Sequence, residues 1–215
     1  LKALDFVLRR GFLRGRRAGW YEFVDERSRK EFLEAGRGLT ETMLDRAVAI
    51  LIRELPEGPD RSGAAAELLL RLTNDLAGCR LLIAAGDSLR KAYRTAAAFE
   101  CYTKALADLG PMRGAEEADR LFIYATIQYS KISSATSEST QVIAALKEAS
   151  TLAGKRGLTA QLALLRMHLA KQEWLRSRYH VALKHFNQGW TDSRHIDDEN
   201  FRRSARIFRK YTHTQ

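Results

Sequence analysis

An all-α fold is predicted: a solenoid of repeated antiparallel helix pairs, with a small β-hairpin near the start of the chain. Three observations predict it. Only three prolines occur in 215 residues, Pro56, Pro59 and Pro111, so long stretches run without a helix breaker. Hydrophobic residues make up 45% and charged residues 29%, a balance for a globular chain able to bury a core. From Cys79 onward one pattern of small and large apolar residues recurs three times at helical spacing.

The elements follow in order. Residues 2–10 read as a short helix. The stretch Phe12-Leu13-Arg14, a turn over residues 15–19, and Trp20-Tyr21-Glu22-Phe23-Val24 read as a β-hairpin, its second arm aromatic and branched and its turn bracketed by Gly15 and Gly19. Asp25 suits the N-cap of a helix over residues 26–34 that closes near Gly36 and Gly38. Thr40 suits the cap of the next helix, which carries Met43, Leu44, Ala47, Val48, Leu51 and Leu55 on one stripe. Residues 57–63 hold Gly, Pro, Asp and Ser and read as a loop, and residues 64–76 as a helix ended by Gly78.

The repeats then begin. Two helices that touch closely need small residues at the contact and a large apolar residue beside them. Ala98, Tyr102 and Ala105 supply that pattern on a second helix, with the small Gly86 twelve residues ahead of Ala98 on a first helix. Gly110 and Pro111 close the unit. The spacing returns at Val142, Leu146 and Ala149 with Ser130 ahead, and at Ala182, Phe186 and Gly189 with Ala170 ahead. Successive units lie 44 and 40 residues apart, longer than the roughly 34 of a tetratricopeptide (TPR) unit. Longer first helices or turns would absorb the difference. A further first helix, residues 198–211, carries Phe201, Ala205, Phe208 and Tyr211 on one stripe. The pairs are therefore read as TPR-like. The division expected is a segment at 1–38, a helical linker pair at 39–78 and the repeats at 79–215.

Residues 84–106, from Ala84-Ala85-Gly86-Asp87 to Tyr102-Thr103-Lys104-Ala105-Leu106, resemble the entry repeat in the helical arm of bacterial STAND-type signalling ATPases, the class of the maltose-regulon activator. Tyr21-Glu22-Phe23-Val24-Asp25-Glu26-Arg27-Ser28-Arg29-Lys30-Glu31-Phe32 resembles the end of their winged-helix domain, and residues 42–52 are similar to the helix after it. The resemblance implies a winged-helix-like remnant at 1–38. It also implies a sensor-regulatory arm within a larger transcription-regulating or signalling ATPase, with the ATPase core preceding Leu1. A start at Leu1 without an initiator Met fits a segment of a longer protein.

Gly154-Lys155 is followed by Arg156 and lacks the earlier glycine of a phosphate loop. His168, His180, His185, His195 and His213 form no metal pair with a Cys or carboxylate at helical spacing. No Gly-x-Ser-x-Gly elbow occurs. No catalytic residue, cofactor or metal is therefore assigned to this segment, which is read as no enzyme by itself. Cys79 and Cys101 lack metal-type spacing and read as buried thiols, which fits a cytoplasmic protein. No signal peptide is visible, and no apolar run approaches the roughly 20 residues that span a bilayer.

The net charge of +10 sits at the ends: +4 over residues 1–38, −2 over 39–154 and +8 over 155–215. In stacked helix pairs the first helices line a concave groove. The repeat register places Arg80, Asp87, Arg90 and Lys91 of the first unit on it, Tyr124 and Lys131 of the second, and Lys171 and Trp174 of the third. A basic groove with aromatics suits an acidic peptide or protein, a C-terminal carboxylate, or another domain of the same chain, through charge-assisted hydrogen bonds. Two other readings stay open: a solvated helix face with Trp174 in the core, and a nucleic-acid-binding helical repeat using the basic C-terminal third.

Overall fold

A computed structural model describes residues 8–9, 13–17, 20–35, 41–133, 139–194 and 196. Among these are nine α-helices, a short 3-10 helix at Gly110–Met112 and one two-stranded antiparallel sheet, so the fold is all-α with a small N-terminal hairpin. Residue contacts divide the chain into two compact units, Leu1–Arg46 and Ala47–Gln215. Most of the helix expected at 2–10, the cap Thr40 and the helix expected at 198–211 lie outside the described residues.

In the first unit, strands β1 (Leu13–Arg17) and β2 (Trp20–Phe23) pair with Leu13 opposite Phe23 and Gly15 opposite Tyr21. The expected turn at 15–19 is tighter than its glycines suggest. Arg17 still pairs with Trp20, because extended backbone that can add a ladder hydrogen bond does so, and the register shifts between Gly15 and Arg17. Arg14 Nε meets Glu22 Oε1 at 2.5 Å across the strands. Helix α1 (Glu26–Ala35) follows, and Asp25 caps it as expected: its Oδ1 accepts from the Ser28 N–H at 2.6 Å.

Helix α2 (Glu41–Glu54) runs across the division between the units. Two expectations fail after it. The loop expected at 57–63 is shorter, because Pro59 opens helix α3 (Pro59–Leu69), where the first turn needs no proline N–H. Gly78 does not end a helix. It lies in the first turn of α4 (Leu76–Lys91) and donates its N–H to Asp75 Oδ1 at 2.8 Å. The break falls earlier because Asn74 and Asp75 satisfy two helix ends at once. The buried Asn74 amide donates to Leu69 O at 2.9 Å and to Asp108 Oδ2 at 2.7 Å, while Asp75 caps the helix that follows.

Six helices then form three pairs: α4 with α5 (Thr95–Leu109), α6 (Glu116–Ile132) with α7 (Ser139–Lys155), and α8 (Thr159–Leu175) with α9 (Tyr179–Ser193). The pairing is antiparallel. Trp174 meets Tyr179 beside the turn of the third pair, and Ala163 meets Gly189 at its far end. First helices also lie side by side, α4 on α6 and α6 on α8. The repeated small–large–small positions are its buried core. Ala98, Tyr102 and Ala105, then Val142, Leu146 and Ala149, are fully buried, and Ala182, Phe186 and Gly189 are buried as well. Removing each large apolar member from water contributes roughly 1.5–3 kcal/mol.

Glycine sets the spacing of two pairs. A Cβ on Gly86 would stand 2.9 Å from Tyr102 Cε1, and one on Gly189 would stand 2.9 Å from Ala163 O. The turns repeat as well. Tyr93, Gly157 and Ser177 hold positive φ of 59°, 66° and 58°. The residue after each closes the helix by donating its N–H to the carbonyl of Leu89, Ala153 and Glu173 respectively, each at 2.9 Å. Arg80 of the first pair is ion-paired with Glu117 of the second, and the residues flanking the second pair are tied to its helices, Arg113 to Glu148 and Arg156 to the buried Asp119 at 2.6 Å.

Candidate functional site

Three first helices bring the charged residues together. Gly86, Ser130 and Ala170 are buried at equivalent places on α4, α6 and α8, and the next residue on each is Asp87, Lys131 and Lys171. A helix repeats its facing every three to four residues, so the same stagger brings Arg90 and Tyr124 near this row.

Asp87 is the hub at one end. Its Oδ1 accepts from the Tyr102 hydroxyl at 2.7 Å and its Oδ2 from the Tyr124 hydroxyl at 2.6 Å. Tyr102 belongs to the partner helix of its own pair and Tyr124 to the next unit, so one carboxylate ties three helices. Burial, and then the Asp87 carboxylate, raise both phenols, Tyr124 to about 12 and Tyr102 further, so both remain donors. The Arg90 guanidinium acts on the same two phenols and on Lys131. Arg90 Nε is buried and has no hydrogen-bond partner among the described residues.

At the other end Lys131 and Lys171 each act electrostatically on His168. Lys131 Nζ donates to Gln128 Oε1 at 3.2 Å. Burial, then the Arg90 charge, lower the Lys131 ammonium against the opposing pull of Asp87, and burial lowers Lys171. His168 is buried at 4% exposure; burial first, and the charges of Lys131 and Lys171 next, push it down to about 3. It is therefore neutral at physiological pH. The Gln172 amide fixes α8 against α6 at this level, donating to Ser133 Oγ at 2.7 Å and Ser130 O at 3.5 Å.

The remaining groove residues have other positions. Arg80 is engaged with Glu117 of the next unit. Lys91 is exposed in the last turn of α4. Trp174 is half-buried, its ring set edge-on to Tyr179 at 4.8 Å between centroids. Sequence reasoning did not single out His168 or Gln128. Both stand two residues before the small residue of their helix, on the side that meets the preceding first helix, and this was the signal available. It also took Tyr102 as a space filler, whereas its hydroxyl is part of the hub.

An open cleft of about 270 Å³ lies elsewhere, lined by Ile52, Ala65, Leu81 and Ala84 with Arg61 and Glu57. Arg61 is committed there to the Ile52 and Leu55 carbonyls, at 3.3 and 3.4 Å, and to Glu57 at 3.1 Å. Cys79 and Cys101 are free and buried, and burial raises their thiols to about 11 and about 12. Among the described residues there is no cluster of metal-ligand type, and no helix is long and apolar enough to cross a membrane. Comparison of the chain with protein families, with curated proteins and with solved structures finds no match in any of the three.

Proposed function

We propose that the helix pairs are a TPR-like, non-catalytic interaction scaffold whose groove binds an anionic, extended segment of a protein partner or of another domain of the same chain. One observation carries this reading: Asp87, Arg90, Tyr124 and Lys131, from two neighbouring first helices, act on one another electrostatically, and Lys131 and Lys171, from two neighbouring first helices, both act on His168. The half-buried Arg90 and Lys171 and the exposed Lys131 provide charge-assisted donors. In a multidomain bacterial signalling ATPase such a scaffold would serve as the sensing or restraining arm, as the sequence resemblance suggests. Two buried free thiols suit a reducing cytoplasm.

The test is fluorescence anisotropy with a labelled Glu/Asp-rich peptide, and with a Lys-rich control, across Arg90→Glu, Lys131→Glu and Lys171→Glu. Each reversal weakens the acidic peptide by roughly tenfold or more, while the circular-dichroism melt stays close to that of the parent. Unchanged affinity in all three variants would show that the groove is not the contact surface.

A further inference from the structure

The first helices run parallel, so their ends share one edge. Arg80 of α4 meets Glu117 of α6, and further along both helices Asp87 meets Tyr124. Arg156, just ahead of α8, meets Asp119 in the first turn of α6, while Gln172 near the end of α8 meets Ser133 just past the end of α6. The turns from first to second helix therefore lie at the same edge. Those of the first and third pairs are described; that of the second, residues 134–138, lies outside the described residues.

Both turns work against local stability in the same places. Tyr93 takes a φ of 59°, which a bulky residue rarely adopts, and it is 91% exposed; Ser177 repeats the conformation at 58°. Arg94 follows Tyr93 as the N-cap of α5, and Arg178 follows Ser177 as the N-cap of α9; neither forms a side-chain cap bond. Ser, Thr, Asp or Asn usually stands there, because its oxygen accepts a free helix N–H. An arginine has no acceptor, and its charge meets the positive end of the helix. The third turn also exposes Leu175 and Tyr179, at 39% and 40%, with the half-buried Trp174 set against Tyr179.

The charges at this edge are poorly compensated. Lys91, Arg94 and Arg176 have no carboxylate partner among the described residues, and Arg178 stands 3.7 Å from the buried Glu173. Toward the opposite edge Arg80, Arg120 and Arg156 are each joined to a carboxylate. An acidic peptide would neutralise the free cations but offer no flat face to the exposed rings. A single strand of nucleic acid supplies a phosphate and a π face at every residue. A duplex keeps its base faces stacked on one another and leaves Tyr93 without a partner.

We propose that this turn edge, with Lys91, Tyr93 and Arg94 of the first pair and Arg176, Arg178 and Tyr179 of the third, binds a single strand of nucleic acid. Its phosphates meet the cations and its bases stack on the two tyrosines. The turns stand two helix steps apart, roughly 16–20 Å at ordinary helix spacing, a span that a short strand crosses. This surface is separate from the groove and does not rest on it.

The test is fluorescence anisotropy with labelled oligothymidylate and oligouridylate of about ten residues. Tyr93→Gly weakens the strand roughly fivefold or more. Glycine accepts the φ of this turn, so the circular-dichroism melt stays close to that of the parent. The variant also leaves the charge unchanged, so a general attraction to a chain of net charge +10 would not respond to it. Lys91→Gln and Arg94→Gln each lower the log–log salt slope by about 0.7, and Lys155→Gln, exposed at the opposite edge, does not. Absent binding of both strands, or equal affinity in Tyr93→Gly, overturns the proposal. So does a duplex, an anionic phospholipid vesicle or a Glu/Asp-rich peptide that binds as tightly as the strand and is weakened as much by Tyr93→Gly. Peptide binding that responds to charge reversal in the groove but not to Tyr93→Gly belongs to the groove, so the two surfaces fail separately.

Discussion

Gly189→Ala should loosen the third helix pair. The new Cβ would lie 2.9 Å from Ala163 O, 3.2 Å from Arg166 Cβ and 3.3 Å from Met167 Cγ. The carbonyl is backbone within α8 and cannot rotate away, so α8 and α9 must separate by a few tenths of an ångström. Ala163 and Met167 are fully buried at this contact, so the separation is felt throughout the local core. Overpacking of this kind costs about 1–3 kcal/mol. Alanine in a helix returns roughly 0.5–1 kcal/mol relative to glycine, which leaves a net loss of up to about 2.5 kcal/mol, centred near 1. The control is Gly154→Ala at the exposed end of α7, where a Cβ meets nothing within 4 Å. It should gain up to about 1 kcal/mol. Urea unfolding followed by far-ultraviolet circular dichroism separates the two variants by midpoint at unchanged slope. Gly189→Ala as stable as the parent, with Gly154→Ala behaving as stated, would refute the close approach of α8 and α9.

Other consequences are equally direct. Tyr102→Phe removes one of two hydrogen bonds to Asp87 at a fully buried ring and should cost about 1–2 kcal/mol in the same assay; no loss would mean that the hub is not formed. Ser177→Gly relieves a left-handed backbone worth roughly 1–2 kcal/mol, less about 0.4–1 kcal/mol of added unfolded-chain entropy, so the melting temperature should rise slightly. For Asp119, burial works to raise the carboxyl, but the Gly114 N–H and the Arg156 guanidinium outweigh it and hold it below its ordinary value. Its contribution is thus complete above the unfolded value near about pH 4 and is lost as pH falls through the lower folded value. Arg156→Gln should cost roughly 2–3 kcal/mol at neutral pH and flatten that acid limb in a pH series of urea midpoints. Cys79 and Cys101 should resist a thiol reagent in the folded chain and react on unfolding.

Local pattern was enough for most helices, because periodicity and capping act over a few residues. Asp25 was legible as a cap, and the buried stripe of each pair was legible from three small–large–small matches. The boundary at 69–76 was not. There Asn74 reaches Asp108, 34 residues away, and a partner at that separation leaves no mark in the window around Gly78. Pro59 misled for a related reason: a proline reads equally as a breaker or as a first-turn residue until the helix beyond it is packed.

The candidate site divides along the same line. The sequence by itself offered Asp87, Arg90, Tyr124, Lys131 and Lys171 as polar positions at one register of a helical repeat. Only the tertiary structure decided which of them meet. It paired Asp87 with two phenols, turned Arg80 to Glu117, and brought the charges of Lys131 and Lys171 to bear on His168. The reason is that stagger between neighbouring helices depends on the volumes of buried residues and on loop length, not on any single helix. A register shift of one residue would redistribute every charge in the groove while leaving each helix intact.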